Sequence, residues 1–502
     1  MSRDPRQPSP PPMRGPEPQD SRRPRRDAMP PTSSFYDDVP ASGAAYAPPA
    51  PPLVDGEQAA AKVTLSPRRA APTLAPAAPQ GRDSLPPRRA AFLPRRPRSW
   101  GEVGLTNAQV SDLILRVLLP MGRISSKDIA QHVGLPQPLV REVVHQLKET
   151  KHVTFVATNV VGDFICELSE SGRDKSRQLR EDLAWVGSAP VSWEAYLESV
   201  EAQALSRSSA GPEDLQRAFK DLLISEDLLD RLGPAITSTQ PMFLHGEPGN
   251  GKTSIAERIT ACFGDTIWIP YVIQVGGSLI KLFDPAIHQA VPPDEGGPED
   301  PRWVRIVRPT VVVGGELTLD MLELAHDQVS GITEAPLQLK ANGGLLVVDD
   351  FGRGKTAPRD LLNRWIFPLE KKVDFLSLPD GRKLSVPFAC MLVLSTNLEP
   401  RDLADEAFLR RIPYKVHVTD PDEYEFSELM ERLAAHMGVR LSPRSVKYLV
   451  DRHYKLANRP MRYCHPRDLL QQVLHLARYR GEEPVAGPAQ WDHVVRNYFG
   501  LV

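Results

Sequence analysis

The run MFLHGEPGNGKT, residues 242–253, constrains this chain more than any other segment. An apolar strand leads into Gly246, Glu247, Pro248, Gly249, Asn250, Gly251, Lys252 and Thr253, which fit the pattern GxxxxGK[ST]. Glycines at these positions let the backbone curl so that successive N–H groups, through Ser254, point at phosphate oxygens. The helix that starts near Gly251 adds the positive end of its dipole. Lys252 is placed to reach the β- and γ-phosphates and Thr253 to give its hydroxyl to Mg²⁺, so the segment reads as a nucleotide-binding loop with ATP and Mg²⁺ as its ligands.

Two further strands complete such a site. Residues 344–350, GLLVVDD, form a short, uniformly apolar run ending in two acids, as a buried parallel strand does when its C-terminal edge meets a ligand. Asp349 is the candidate for holding Mg²⁺, directly or through water, and Asp350 for orienting the attacking water. The strand Met391–Thr396 ends in Asn397, an amide suited to sit beside the γ-phosphate and help place that water.

The remaining chain divides by composition. Residues 1–98 carry 23 of the 51 prolines and 16 Lys and Arg against nine Asp and Glu, so the stretch is near +7 while the rest of the chain is near −9. With almost no periodic apolar pattern, it is expected to be a disordered tail, either a solvated linker or a docking arm for an acidic partner, nucleic acid or an anionic membrane surface. Residues 104–180 read as a winged-helix domain: Thr106 caps a first helix, Ser125 or Ser126 starts a second, the Gly134-Leu135-Pro136 turn leads to a third at Leu139–Lys148, and strands Val153–Ala157 and Asp163–Leu168 form a hairpin. Its third helix presents Gln137, Arg141, His145 and Lys148, a modestly basic face that suits DNA or a protein partner.

A helical connector is expected over 181–209, an α/β nucleotide domain over 210–420 and a helical lid over 421–502. Within the nucleotide domain, Trp303–Val313 alternates like a hairpin, Thr318–Gln328 reads as a helix, and Val373–Leu378 with Leu384–Phe388 form a hairpin around an Asp-Gly turn. Four separated cysteines include no CxxC pair for zinc or redox cycling. The sequence shows neither an 18-residue apolar run nor a signal-peptide core, and a cytoplasmic protein without an integral membrane segment is expected.

Together these residues resemble the AAA+ ATPase superfamily, in particular its pre-sensor-1-hairpin group of MoxR-like ATPases. From about Leu105 to Tyr498 the chain resembles a bacterial family described as ATPases with chaperone activity associated with Flp pilus assembly. The likeness rests on Gly246–Thr253, on residues 314–320 (GGELTLD), 343–353 and 363–365 (NRW), and on residues 405–411 (DEAFLRR). It implies a parallel sheet of order 5-1-4-3-2, a C-terminal helical lid, and a homo-oligomeric ring, of hexamer type, acting on an unidentified protein client. By position, Asn397 resembles sensor 1, Arg410 or Arg411 the arginine finger that reaches a neighbouring subunit's γ-phosphate, and Arg467 the sensor 2 arginine of the lid. The superfamily usually ends its acidic strand in Asp-Glu. Here Asp350 is one methylene shorter, which leaves open slow turnover or a nonhydrolysing, nucleotide-gated scaffold. A DNA-directed regulator with an AAA+ switch is the other alternative.

Overall fold

The computed structural model describes residues 92–158, 163–207, 210–264, 266–292 and 299–500. The proposed tail therefore lies outside the described residues up to 91. Its last residues, 92–98, are packed in part: the Phe92 ring lies 5.5 Å from that of Trp303, Pro94 and Pro97 are buried, and the Pro94 carbonyl accepts from the Asp300 N–H at 2.8 Å, while Leu93, Arg95, Arg96 and Arg98 are exposed. Proline-rich composition hid this because an extended strip needs no periodic pattern to lie in a groove.

Five parallel strands form the central sheet: β1 (Met242–His245), β2 (Thr310–Val313), β3 (Leu345–Val348), β4 (Met391–Thr396) and β5 (Tyr414–His417). Their spatial order is 5-1-4-3-2, with Val348 beside Leu394 and Thr396 beside His245, so the C-terminal ends of β1, β3 and β4 lie side by side. This is the parallel strand order that the resemblance implies. Alternation along each strand serves two layers. Met242, Leu244, Leu345, Val347 and Val393 face the helices at 212–219, 226–237 and 252–258, while Phe243, Leu346, Val348, Leu392 and Leu394 face the helix Pro358–Lys371. With both faces covered, the strands are almost wholly buried, and each buried Val, Leu or Phe contributes about 1.5–3 kcal/mol.

Two expectations within the nucleotide domain change, and one helix is added. Trp303–Val313 is not a self-paired hairpin: Trp303–Val307 pairs antiparallel with Thr266–Pro270, and β2 then joins the central sheet. Pro309 separates the two halves and its carbonyl accepts from Leu345 N–H, at the place where the chain passes between sheets. Thr318–Gln328 holds only a 3-10 turn at Leu319–Leu322 before Glu323 returns to extended backbone and Ala325–His326 pairs with Thr333–Glu334. Glu226–Thr237 forms a helix the sequence reading passed over because Gly233-Pro234 resembles a break. Ser225 caps it, and burial of Leu228, Leu232 and Ile236 outweighs the hydrogen bond lost at Pro234.

Ahead of the sheet, helices Asn107–Met121, Ser126–Val133 and Gln137–Glu149 and the hairpin Val153–Thr158/Phe164–Leu168 take the winged-helix arrangement, with Ile124–Ser125 as a third strand. Thr106 and Gln109 form a reciprocal capping box. On the third helix, His145 packs edge-on to Phe155 and Phe164, and the Lys148 ammonium sits 4.3 Å above the Phe155 ring. Half of the polar face proposed for recognition is thus spent on the hairpin. The connector is not purely helical: Val191–Ser192 pairs in parallel with Val272–Val275 and so enters the second sheet.

A buried ion pair joins these parts. The Arg302 guanidinium grips Asp300 through Nε and Nη2 (2.8 Å for the latter) and donates through Nη1 to the carbonyls of Val103 (2.8 Å) and Pro190 (3.4 Å). Both side chains are nearly inaccessible, at 5% and 2%. A buried pair adds little stability relative to apolar replacements, but breaking one strands the survivor. Arg302→Ala should therefore cost about 3–5 kcal/mol in urea unfolding, and Arg302→Ala with Asp300→Ala should recover a large part of that loss.

Candidate functional site

The loop Gly246–Gly251 links β1 to the helix Lys252–Arg258. Two of its glycines are sterically required. Gly246 has φ 137°, and a Cβ there would stand 2.4 Å from the Val418 carbonyl oxygen. Gly249 has φ 85°, with Cys464 Sγ 2.6 Å from where a Cβ would be. Among the described residues, the N–H groups of Lys252, Thr253 and Ser254 find no protein acceptor, which leaves the first turn of the helix with its donors directed at the loop.

Side chains from three strand ends meet there. Lys252 is buried, at 7% exposure. Its ammonium donates to the carbonyls of Gly246 and Glu247, each at 2.9 Å, and to Asn397 Oδ1 at 2.5 Å. Asn397 Nδ2 donates to Asp350 Oδ1 at 3.3 Å, the Asp350 N–H donates to Asp349 Oδ1 at 3.1 Å, and the Thr253 hydroxyl donates to Asp349 Oδ2 at 2.7 Å. Lys252, Asn397, Asp350, Asp349 and Thr253 thus form one continuous hydrogen-bonded circuit. Burial holds the Lys252 ammonium below its ordinary pKa, against the opposing pull of Asp349, Asp350 and Glu247. Asp350 has φ 49°, a left-handed conformation that an aspartate adopts more readily than most residues and that directs its carboxylate away from the strand axis.

The donor set fits a nucleotide and a hard divalent ion. Backbone N–H groups and an ammonium face anions, and Thr253 with Asp349 offers the oxygen pair that Mg²⁺ takes alongside phosphate and water. Among the described residues, no cluster of three or more His, Cys, Asp or Glu is arranged to hold a metal without such help. All four cysteines are free.

The other candidates lie apart from this circuit. Arg410 is exposed and pairs with Glu406 at 2.9 Å; Arg411 donates to the Ala407 carbonyl at 2.9 Å and lies 3.4 Å from Glu370. Arg467 opens the helix His465–Arg480 as expected, but it is 68% exposed and pairs with Asp468 at 3.4 Å. It also borders a lid groove with Leu433, Met437 and Gln471. Among the lid residues that touch the loop is Arg462, bound to Glu247 and Asp420, and Asp420 also accepts from Asn250 Nδ2 at 2.7 Å. The sequence reading missed Arg462 and Asp420, which belong to no recognised motif. Pro248 is exposed at the loop's rim.

Among the described residues, no helix is long and apolar enough to cross a membrane. A family model described as "Domain of unknown function (DUF8689)" matches residues 422–497, within the lid. No curated protein matches the sequence. Among solved structures, the chain is similar to NtrX from Brucella abortus in complex with ATP, with TM-score 0.35 and 15% identity over 55% of this chain and 56% of that one. It is also similar to the RuvB Holliday junction branch migration motor of Thermotoga maritima, with TM-score 0.31 and 14% identity over 59% and 72%. The chain spans little more than half the length of NtrX.

Two outcomes follow from the geometry. Lys252→Ala should abolish ATP binding in calorimetry and also lower stability by about 1–3 kcal/mol, because buried acceptors lose their donor. The second concerns His465, whose ring is 8% exposed and bonded to Tyr454 Oη at 3.0 Å; burial, aided by Arg462, pushes its pKa down to about 4. The unfolded imidazole titrates near its usual value, so the neutral ring's contribution is intact above that value and is lost as pH falls toward 4. The melting temperature should drop between pH 7 and 5, and His465→Asn should flatten that slope.

Proposed function

We propose that this chain is an AAA+ ATPase that binds ATP with Mg²⁺ and works as a homo-oligomeric ring to remodel or assemble a protein partner. The observation that carries the reading is the Lys252–Asn397–Asp350–Asp349–Thr253 circuit at the C-terminal edge of a 5-1-4-3-2 sheet. ATP supplies a transferable γ-phosphoryl group and Mg²⁺ neutralises charge on the β- and γ-oxygens. Lys252 would exchange its carbonyl and amide acceptors for phosphate oxygens. Thr253 and Asp349 would hold the ion, while Asp350, steadied by Asn397, would orient water for in-line attack.

No arginine of the same chain joins the circuit among the described residues; Arg410 is exposed just past the helix Glu406–Leu409, and half-buried Arg411 follows it. That supports a finger acting on a neighbouring subunit. The engagement of His145 and Lys148 with the hairpin aromatics favours protein docking over DNA reading for the winged helix. A link to pilus assembly remains a proposal drawn from sequence resemblance alone.

Asp350→Asn should retain ATP but stop turnover, since the amide cannot accept the water's proton. Arg410→Ala with Arg411→Ala should bind ATP normally and hydrolyse it about 10³-fold more slowly. Mixing that double variant with Lys252→Ala protein should restore some turnover, because a mixed ring contains interfaces with an intact loop and an intact finger. Full ATPase from a monomer, independent of protein concentration and without rescue, would exclude the ring.

A further inference from the structure

The phosphate loop carries a carboxylate, Glu247, immediately after its first glycine, and the lid brings a guanidinium to it. Arg462 is 14% exposed and spans two acids: Nη2 lies 3.1 Å from Glu247 Oε2, and Nη1 binds Asp420. The two residues after Arg462 clamp the same loop, Tyr463 N–H donating to Asn250 Oδ1 at 3.4 Å and Cys464 N–H to the Gly249 carbonyl at 2.9 Å. The Arg462 carbonyl accepts from His465 N–H at 3.1 Å, which ties the residue to the start of the helix His465–Arg480. Asp420 is anchored from below by Asn250. One edge of the guanidinium is therefore fixed, whereas the edge on Glu247 rests on a carboxylate that is 60% exposed.

We propose that Arg462 is a phosphate-binding residue of the lid, and that its pairing with Glu247 is a latch which the γ-phosphate of a nucleoside triphosphate takes over. The inference rests on the nucleotide-loop reading and extends it to the lid. A carboxylate and a phosphate offer the same pair of acceptor oxygens to a guanidinium fork, and a triphosphate carries more charge than one carboxylate. Without nucleotide, Arg462 neutralises Glu247. With the triphosphate in the loop, Glu247 repels it and the fork moves to the anion while Asp420 keeps Arg462 in place. Two neighbours thus act oppositely on the ligand: Arg462 attracts it and Glu247 competes for Arg462.

The test measures binding of fluorescent ATP and ADP analogues to the full chain, together with the melting temperature with and without Mg·ATP. Arg462→Ala should weaken ATP binding by about tenfold to a hundredfold, as loss of a charge-assisted hydrogen bond does, and ADP binding much less. Glu247→Gln should tighten ATP and, combined with Arg462→Ala, should leave the affinity no worse than Arg462→Ala alone. Arg467→Ala should weaken ATP less than Arg462→Ala. Equal binding of ATP by wild type and Arg462→Ala would overturn the proposal, as would Glu247→Gln weakening ATP. If Arg462→Ala fails to fold, Glu247→Gln decides alone: tighter ATP supports the latch, and unchanged or weaker ATP overturns it. Failure of wild type to bind either analogue would overturn the nucleotide-loop reading itself, a separate result.

Discussion

The ammonium of Lys252 is the group on which the rest of the site depends. It has three donors and is buried, so every donor must find an acceptor or the charge becomes costly. Two acceptors are carbonyls of its own loop, which draws the loop closed over the side chain. The third is Asn397, at the end of a different strand. This single requirement ties β1 to β4, and Asn397 passes it on to Asp350 at the end of β3. Parallel register makes that possible: with Val348 beside Leu394 and Thr396 beside His245, the three strands end close together and no side chain has to stretch. Phosphate can substitute for acceptors already in place, so the site is largely assembled before any ligand arrives.

What was legible in the sequence is what local chemistry dictates. GxxxxGK[ST] names a backbone geometry, a uniformly apolar strand ending in acids names a buried edge, and Asp380-Gly381 names a turn, which the structure builds with Asp380 accepting from Arg382. The sequence misled where partners come from far away. Trp303–Val313 alternates correctly for a strand, but alternation does not say which strand it pairs with, and its two halves belong to different sheets. Thr318–Gln328 has helical spacing over a few residues, yet pairing of Ala325–His326 with Thr333–Glu334 prevails over it. Arg462 could not be singled out from spacing, because its partners lie 42 and 215 residues away.

Arg462 and Arg467 illustrate the limit of reading roles by position. Arg467 stands where a helix-opening Pro-Arg pair suggests a nucleotide sensor, and the helix does begin there. The side chain nevertheless lies beside Asp468, more than two-thirds exposed, while the irregular segment before the helix supplies the loop contacts. Regular elements are easily aligned by motif; the short connections that carry polar contacts follow the geometry of their neighbours.

The strand Val191–Ser192 couples the N-terminal module to the second sheet. Register between hydrogen-bonded strands is a discrete coordinate: pairing advances by whole residues, and a shift by one residue turns each side chain to the opposite face. The connector enters the second sheet through such a pairing, and Arg302 bonds Val103 and Pro190 at once, so the junction with the N-terminal module is held by strand pairing and a buried side chain together. Small displacements of that sheet would carry the N-terminal module with them rather than slide past it, because sliding requires a whole register step.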